Sequence, residues 1–449
     1  MDYLLSIKTF DKQVIADKYQ YSHVNTPFYI IEEMLDLLPV EMFFNKHYKW
    51  LDPGCGYGYF SIVLYQRLFK CIRPFFITNI DTHNHIVENM LYMVDINPVM
   101  VEYVKKLFGE NANVMCNDFV SWNTDLKFDF IIGNPPYVIG TKKVPTNNTL
   151  VKKNDGITIW HQFIKKSNRI LHTDGYLSFI VPCLWMRKDK ANMYHYMNTY
   201  KIHYIKCFNN TESNKIFSQQ CQTPTSIFVL QNKICNLEQK HVHIYDQPTS
   251  SYIIYKYSFG EPIPMFAASI IQELQYYVNK YGSLAKYVSK TNLPSSKIKI
   301  QKEENEIFKF KNIKTCLLDK TQPYLVYEYS DKPLPFYDCQ KLVLAHKMYG
   351  FSYFDKNGEF GISTRDNYII SGLSEKELFI LNEFFNKKST IFLFECCRYR
   401  MKCIEKCLFE LIPNILNMDD LNFSLDFLFF ESKQKMKYIN GFNKKYNQI

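Results

Sequence analysis

Arginine is scarce in this chain: 7 of 449 residues, against 47 lysines. With the abundance of Asn, Ile, Tyr and Phe, that ratio fits codon bias in an AT-rich genome, so part of the net charge of +10 is compositional. A mildly basic chain admits a nucleic-acid partner without requiring one. Cys-x-x-Cys pairs are missing, and the 13 cysteines are odd in number and irregularly spaced. A secreted disulfide framework is therefore not expected. No run approaches the length of apolar residues that a membrane span needs. Met1 to Phe10 lacks the basic-then-apolar pattern of a signal peptide. No long period recurs, which excludes solenoids and propellers. Charged residues make up only 22%, too few for wholesale disorder. What remains is a globular chain in a reducing compartment.

What the chain does have is core-forming content and many rings: 47% hydrophobic residues, 36 Phe and 34 Tyr. The length suggests two or three domains. Rings in such number are not all interior, which leaves material for stacking on a flat ligand. Thr26-Pro27 precedes a helical stripe of Ile30, Ile31, Met34, Leu35, Leu37 and Leu38. Short apolar runs at Tyr48–Leu51, Leu91–Val94, Asn113–Cys116, Phe128–Ile132, Gly175–Val181 and Thr225–Leu230 read as strands. A helix with Ile62, Val63, Tyr65 and Leu68 falls between the first two. The alternation predicts an α/β fold, a parallel sheet covered by helices. Pro248, Ser250, Ser251 and Gly260-Glu-Pro262-Ile-Pro264 read as a linker, which places a domain boundary near residue 250. The expected domains are 1–250 and 251–449. In the second, Lys297–Gln301, Ile307–Lys311, Leu342–Leu344 and Gly350–Phe354 read as strands. Asp355-Lys-Asn-Gly358 reads as a hairpin turn, and 375–412 as helices, giving a mixed α+β unit.

Four elements carry chemistry. Asp52-Pro-Gly54-Cys-Gly56-Tyr-Gly58 lies between a strand and a helix, where glycines let the backbone turn tightly and approach a ligand. Asp95, in Val94-Asp-Ile96-Asn-Pro98, puts a carboxylate at a strand end, where ribose hydroxyls can be bound. Asp81 is the rival acid, in a segment Cys71–Met90 that reads as an insertion. Asp95 is preferred, because Ile96 offers an apolar face beside it. Asp118-Phe119 pairs a hydrogen-bond acceptor with a ring, although a helix cap explains it as well. The sharpest element is Asn134-Pro135-Pro136-Tyr137, directly after a strand. Two prolines lock an extended backbone and so fix the direction of the Pro135 carbonyl. Asn134 adds a side-chain carbonyl. Two acceptors converging on one point suit an amino group, and Tyr137 adds a stacking face.

With Thr26-Pro27 first, then the glycine loop, Asp95, Asp118 and Asn134–Tyr137, the order of motifs resembles the S-adenosylmethionine-dependent amino methyltransferases. Within them it is most similar to the gamma class of DNA adenine-N6 methyltransferases, of restriction-modification type. The likeness extends through Trp160–Pro182 and Ile216-Phe217-Ser218, and is loose beyond residue 232. It implies a Rossmann-like methyltransferase sheet followed by a target-recognition domain. It also implies that Thr26, Asp52, Gly54, Gly56, Asp95 and Asp118 hold S-adenosylmethionine, with Ile96 and Phe119 on either side of its adenine. Asn134 and the Pro135 carbonyl would bind the target amino group. Tyr137 would stack on the target adenine and Phe217 on or near its other face, with Pro136 completing the tetrapeptide. Two departures are the Asp52-Pro53 start of the glycine loop, where the family often has Phe or Glu, and the Cys71–Met90 insertion.

The reading that follows is an adenine-specific site-specific DNA-methyltransferase (EC 2.1.1.72 class) that flips its target base out of double-stranded DNA. The expected setting is a monomer in the cytoplasm of a bacterium, or in the host cell or virion of a large DNA virus. A separate cognate restriction endonuclease is an optional partner. Only about 25 residues precede Thr26, too few for a fused nuclease domain there. The same tetrapeptide suits an RNA adenine or a protein glutamine, and a catalytically silent DNA-binding protein could keep the fold. Lys142, Lys143, Lys152 and Lys153 beside the tetrapeptide are candidates for phosphate contact, as are Lys290, Lys297, Lys299, Lys302, Lys309 and Lys311. Arg365, Arg398 and Arg400 have the chemistry to read guanine. No metal site is expected. Cys396, Cys397, Cys403 and Cys407 lack zinc-ligand spacing, and His83 and His85 read as exposed polar residues.

Overall fold

Parallel strands buried on both faces should be short, continuous apolar runs. The computed structural model has them. It describes residues 2–7, 24–139, 157–218, 221–292, 294–319, 322–346, 352–400 and 404–418. Lys142, Lys143, Lys152, Lys153, Gly350 and Cys403 lie outside the described residues. The chain divides into two compact units, Met1–Glu238 and Gln239–Ile449.

In the first unit the strands are β1 Trp50–Pro53, β2 Leu91–Asp95, β3 Asn113–Cys116, β4 Phe128–Gly133, β5 Val138–Ile139, β6 Ile157–Thr158, β7 Leu171–Pro182, β8 Tyr200–Phe208 and β9 Thr225–Ile234. The helices are α1 Asp2–Ser6, α2 Phe28–Asp36, α3 Tyr59–Ile72, α4 Asn79–His85, α5 Pro98–Phe108, α6 Trp160–Ile170, α7 Met193–Thr199 and α8 Asn210–Ile216. The main sheet of this unit runs β8-β9-β7-β4-β1-β2-β3. The pairs β3–β2, β2–β1, β1–β4 and β4–β7 are parallel; β9 runs antiparallel between β7 and β8. The expected α/β, Rossmann-like sheet is present.

Strand order reverses at β1, which has β2 on one side and β4 on the other. In open α/β sheets ligands bind beyond the strand C-termini at such a switch point. Both the glycine loop and the tetrapeptide leave the sheet there. The core beneath is aromatic: Trp50 stacks on Phe130 with ring centroids 3.9 Å apart. The apolar stripe of α2 buries Ile30, Ile31, Met34 and Leu35.

The insertion Cys71–Met90 folds into a 3-10 turn, α4 and a π-helical turn. Thr78 and Asp81 form a capping box at the start of α4. His83 and His85 are half-buried rather than exposed. His83 Nδ1 is 2.9 Å from the Tyr65 hydroxyl, and His85 Nε2 is 2.8 Å from the Lys46 carbonyl oxygen. Together they fasten the insertion to α3 and to the segment before β1.

The second unit opens with a hairpin, β10 Gln239–Asp246 and β11 Ser251–Ser258, paired in register from Gln239↔Ser258 to Asp246↔Ser251. Pro248 and Ser250, which read as linker, lie in its turn, and Ser251 opens β11. Turn and linker share the same Pro/Ser chemistry, so composition does not separate them. Two four-stranded sheets follow, built from β12 Val288–Lys290, β13 Ile300–Gln301, β14 Phe310–Asp319, β15 Gln322–Ser330, β16 Lys341–Ala345, β17 Ser352–Asp355, β18 Gly361–Ile362 and β19 Asn367–Ser371. Their orders are β12-β19-β16-β17 and β13-β15-β14-β18. Ile313, Cys316, Val343, Ala345, Phe360, Ile362 and Ile369 form a core from both. Helices α9 Ala268–Tyr281, α10 Glu375–Phe385 and α11 Lys388–Cys396 complete this α+β unit.

Asp355-Lys-Asn-Gly358 is a turn but not a hairpin, because β17 pairs with β16 while β18 pairs with β14. The Asp355 carboxylate holds it. It accepts the amides of Glu359 at 2.9 Å and Phe360 at 3.1 Å and pairs with the buried Lys341 ammonium. No described helix is long and apolar enough to cross a membrane.

Candidate active site

The glycine loop follows β1. Gly54, Gly56 and Gly58 have φ of 77°, 54° and 83°, conformations that L side chains rarely adopt. The Gly54 amide donates to the Val94 carbonyl at 2.7 Å, tying the loop to β2. A Cβ on Gly54 would come within 3.8 Å of both Pro136 and Phe163. The loop therefore lies against the tetrapeptide.

Asp95, at the end of β2, accepts the Gly56 amide at 2.8 Å through Oδ2 and the Asn97 amide at 2.8 Å through Oδ1. Each oxygen keeps a lone pair, so the carboxylate remains able to bind hydroxyls. Ile96 beside it is 57% exposed, a free apolar face. Asp81 is instead engaged in its own helix cap, where it accepts from the Thr78 amide at 3.1 Å and hydroxyl at 2.8 Å.

Asp52 is buried at the C-terminal end of β1 and accepts the Ser61 hydroxyl at 2.7 Å. A Cβ on Gly133 would stand 3.3 Å from its Oδ1, so only glycine fits there without a shift. Burial, with the Asp95 charge adding to it, pushes the Asp52 carboxyl up to about 7, and the Ser61 hydrogen bond opposes the rise. Burial likewise raises the neighbouring Cys55 thiol well above its ordinary value, which leaves it a poor nucleophile.

Asp118 stabilises its own turn, accepting the Val120 amide at 3.1 Å and the Ser121 hydroxyl at 2.9 Å. Phe119 is 2% exposed, with its ring 5.1 Å from that of Phe163. Phe217, just past α8, is 1% exposed and sits in the main core. The structure therefore gives these two rings interior positions, while Ile96 and Tyr137 keep exposed surface.

The tetrapeptide leaves β4. Asn134 Nδ2 donates to the hydroxyl of Thr26 at 3.1 Å, a contact across 108 residues that joins the Thr-Pro motif to the tetrapeptide. Asn134 Oδ1 is buried and accepts no hydrogen bond among the described residues. A buried acceptor without a donor is costly, and this one stands at a strand's C-terminal end, where ligands bind in such sheets. The Tyr137 hydroxyl donates to the Ile180 carbonyl on β7 at 3.2 Å, which fixes the ring. Its carbonyl accepts the Ile159 amide at 3.1 Å, just after the short β5–β6 ladder. The Thr26–Asn134 contact was missed in the sequence; the only signal is that both residues stand directly before a proline.

In the second unit Arg398 Nη1 pairs with both Glu395 oxygens, at 2.6 and 2.8 Å, and Arg400 with Glu405 at 3.4 Å. Arg365 is exposed. The Lys311 ammonium lies 4.3 Å from the Tyr327 ring centroid. Cys396 and Cys397 are buried.

Comparison with known proteins agrees with the motif order. Residues 75–217 match the family described as Eco57I restriction-modification methylase. The match takes in Asp95, Asp118, the tetrapeptide and Phe217, and starts after the glycine loop. "Modification methylase CviBIII" of Paramecium bursaria Chlorella virus NC1A is 28% identical over 134 residues, covering 29% of this chain and 30% of that protein. "Type II methyltransferase M.CvrRI" of Paramecium bursaria Chlorella virus XZ-6E is 28% identical over 155 residues, covering 34% and 33%. A "tRNA1(Val) (adenine(37)-N6)-methyltransferase" of Flavobacteriaceae bacterium (strain 3519-10) is 30% identical over 94 residues, covering 20% and 39%. The chain thus spans about a third of the length of the two viral relatives.

Proposed function

We propose that this chain, whose residues 75–217 match the Eco57I restriction-modification methylase family, transfers a methyl group from S-adenosylmethionine to the N6 amino group of adenine in double-stranded DNA. The observation that carries the reading is the buried, unpartnered Oδ1 of Asn134 at the mouth of the β1–β4 switch point. An exocyclic amino group supplies the donor that this oxygen lacks.

The residues present fit the cofactor. Asp95 offers a carboxylate at a strand end, Ile96 an apolar face beside it, and Gly54 and Gly56 a close backbone approach. Asp52, Thr26 and Asp118 complete the proposed binding set, and Phe119 supports it from the core. When bound, S-adenosylmethionine supplies an electrophilic methyl group on a sulfonium.

The remaining work falls to this chain. The adenine N6 lone pair is delocalised into the ring, which makes the amine a poor nucleophile. Accepting its two N–H bonds at Asn134 Oδ1 and the Pro135 carbonyl favours a more tetrahedral nitrogen with a localised lone pair. Pro135 and Pro136 hold those acceptors in one direction, so the transfer depends on positioning rather than on a strong base. The target amine is paired and stacked in duplex DNA, so the base must leave the stack. The Tyr137 ring is proposed to offset part of that cost by stacking, with Phe217, a core ring, near the base's other face. The C-terminal unit is proposed to recognise the target sequence, in a monomer working in the cytoplasm, with any cognate endonuclease on another chain.

The test is methyl transfer from labelled S-adenosylmethionine to unmethylated duplex DNA, read by nucleoside mass spectrometry. N6-methyladenine is expected from the wild type, with a loss of roughly a hundredfold or more in Asn134→Ala. Label on RNA alone would favour the second reading, an RNA adenine methyltransferase, to which the tRNA-modifying relative points. Cofactor binding with no transfer to any substrate would favour a silent DNA-binding protein.

A further inference from the structure

We propose that Thr26 is a positioning residue for Asn134, its hydroxyl holding the side-chain amide in place beside the tetrapeptide. The proposal rests on the reading of Asn134 given above and extends it to a residue in a different motif.

A side-chain amide is nearly symmetric in shape and opposite in chemistry at its two ends. Flipped by half a turn, Asn134 would present an NH2 to the target NH2, donor against donor. The final torsion of an asparagine side chain is broad, so packing alone selects weakly between the two orientations. The correct orientation points Nδ2 inward, where a buried donor must find an acceptor. Thr26 Oγ1 is that acceptor, at 3.1 Å, and Thr26 is itself buried.

Both partners are set by the same device. Thr26 precedes Pro27 and Asn134 precedes Pro135, and a residue before proline is confined to extended backbone. Pro27 also anchors α2, since its carbonyl accepts the Ile30 amide at 3.0 Å and the Ile31 amide at 3.2 Å. The hydroxyl is thus presented from the start of a helix docked on the core. Without it, the inward end of the amide would be buried unpaired, and Asn134 would lose the contact that holds its side chain in place.

The resemblance implies that Thr26 holds cofactor, and the two roles separate experimentally. Thr26→Val keeps the shape and removes the hydroxyl; Thr26→Ser keeps the hydroxyl. Binding of S-adenosylhomocysteine is measured by calorimetry and single-turnover transfer by label. A positioning role predicts that at saturating cofactor Thr26→Val slows transfer roughly ten- to hundredfold beyond any loss of S-adenosylhomocysteine affinity, with recovery in Thr26→Ser. Transfer at the wild-type rate in Thr26→Val overturns the proposal. So does a loss of cofactor binding that matches the loss of rate.

A readout independent of turnover comes from protein labelled with 15N-asparagine, in which the Asn134 side-chain amide is identified by its absence in Asn134→Ala. That signal is expected to shift in Thr26→Val and return in Thr26→Ser. An unshifted signal overturns the proposal. If the wild type methylates no substrate, the functional reading has failed and the amide signal alone decides whether Thr26 holds Asn134.

Discussion

Replacing Asp52 by an asparagine tests the electrostatics of the first unit directly. Asp52 is buried, accepts one hydroxyl and faces the Asp95 carboxylate, and its carboxyl stands near 7 against an ordinary 3.8. Its folded value lies above its unfolded value. Below about pH 4 the group costs nothing. As pH rises toward 7, the unfolded chain gives up the proton and the folded chain keeps it, so stability is lost through that window. Above about pH 7 both states are ionised and the loss is complete. A shift of this size corresponds to roughly 4 kcal/mol. The side-chain amide introduced by Asp52→Asn has the same outline, can accept the Ser61 hydroxyl and does not titrate. Asp52→Asn should therefore match wild type near pH 4 and exceed it by roughly 4 kcal/mol at pH 8 in the cofactor-free protein. All four tryptophans, Trp50, Trp122, Trp160 and Trp185, precede residue 239, so tryptophan fluorescence during urea unfolding reports on this unit alone. A stability difference that stays flat from pH 4 to 8 would refute the reasoning.

Two predictions concern the second unit. Lys341 and Asp355 form a fully buried pair, and Lys341 also donates to the carbonyls of Phe336 at 2.8 Å and Cys339 at 3.1 Å. Lys341→Met leaves the carboxylate without its counter-charge and should cost roughly 3–5 kcal/mol by hydrogen exchange in β16 and β17, with part of it regained in Lys341→Met/Asp355→Asn, which removes the charge and keeps an acceptor for the turn; a double variant no better than the single one would contradict this. Gly358 has φ 71°, and a Cβ there would sit 2.5 Å from the Cys339 amide nitrogen. Gly358→Ala should destabilise this unit by at least about 2 kcal/mol, measured by tyrosine fluorescence in urea, and a change within about 0.5 kcal/mol would count against it.

Most strands of the first unit's main sheet were legible as apolar runs ending in polar or glycine residues; β8 Tyr200–Phe208 was not, because its lysines, tyrosines and histidine break the run. Phe128–Ile132 and Leu91–Val94 differ from the observed strands by one residue at most. The two loops of the site were legible for a related reason: Asp52–Gly58 and Asn134–Tyr137 interrupt those runs with residues that no strand interior needs. What failed was information that local chemistry does not hold. Pro248–Ser250 has the composition of a linker and the geometry of a hairpin turn. Asp355–Gly358 has the composition of a hairpin turn, yet its flanking strands β17 and β18 go to different sheets. Phe119 and Phe217 carry the rings a ligand would want, and sequence does not tell an interior ring from an open one. The Thr26–Asn134 hydrogen bond spans 108 residues and leaves no periodic trace.

The glycine loop and the tetrapeptide are rooted on β1 and β4, which pair in parallel with Trp50 opposite Phe130 and Leu51 opposite Ile131. The gap between the two roots is therefore the spacing of neighbouring strands, about 4.8 Å. Backbone hydrogen bonds set that spacing, and no side-chain substitution in either loop resets it. Drift in the loops changes what each one holds, while the span between them stays constant. A chain built this way can diverge widely in its ligands and still keep one fixed length at its centre.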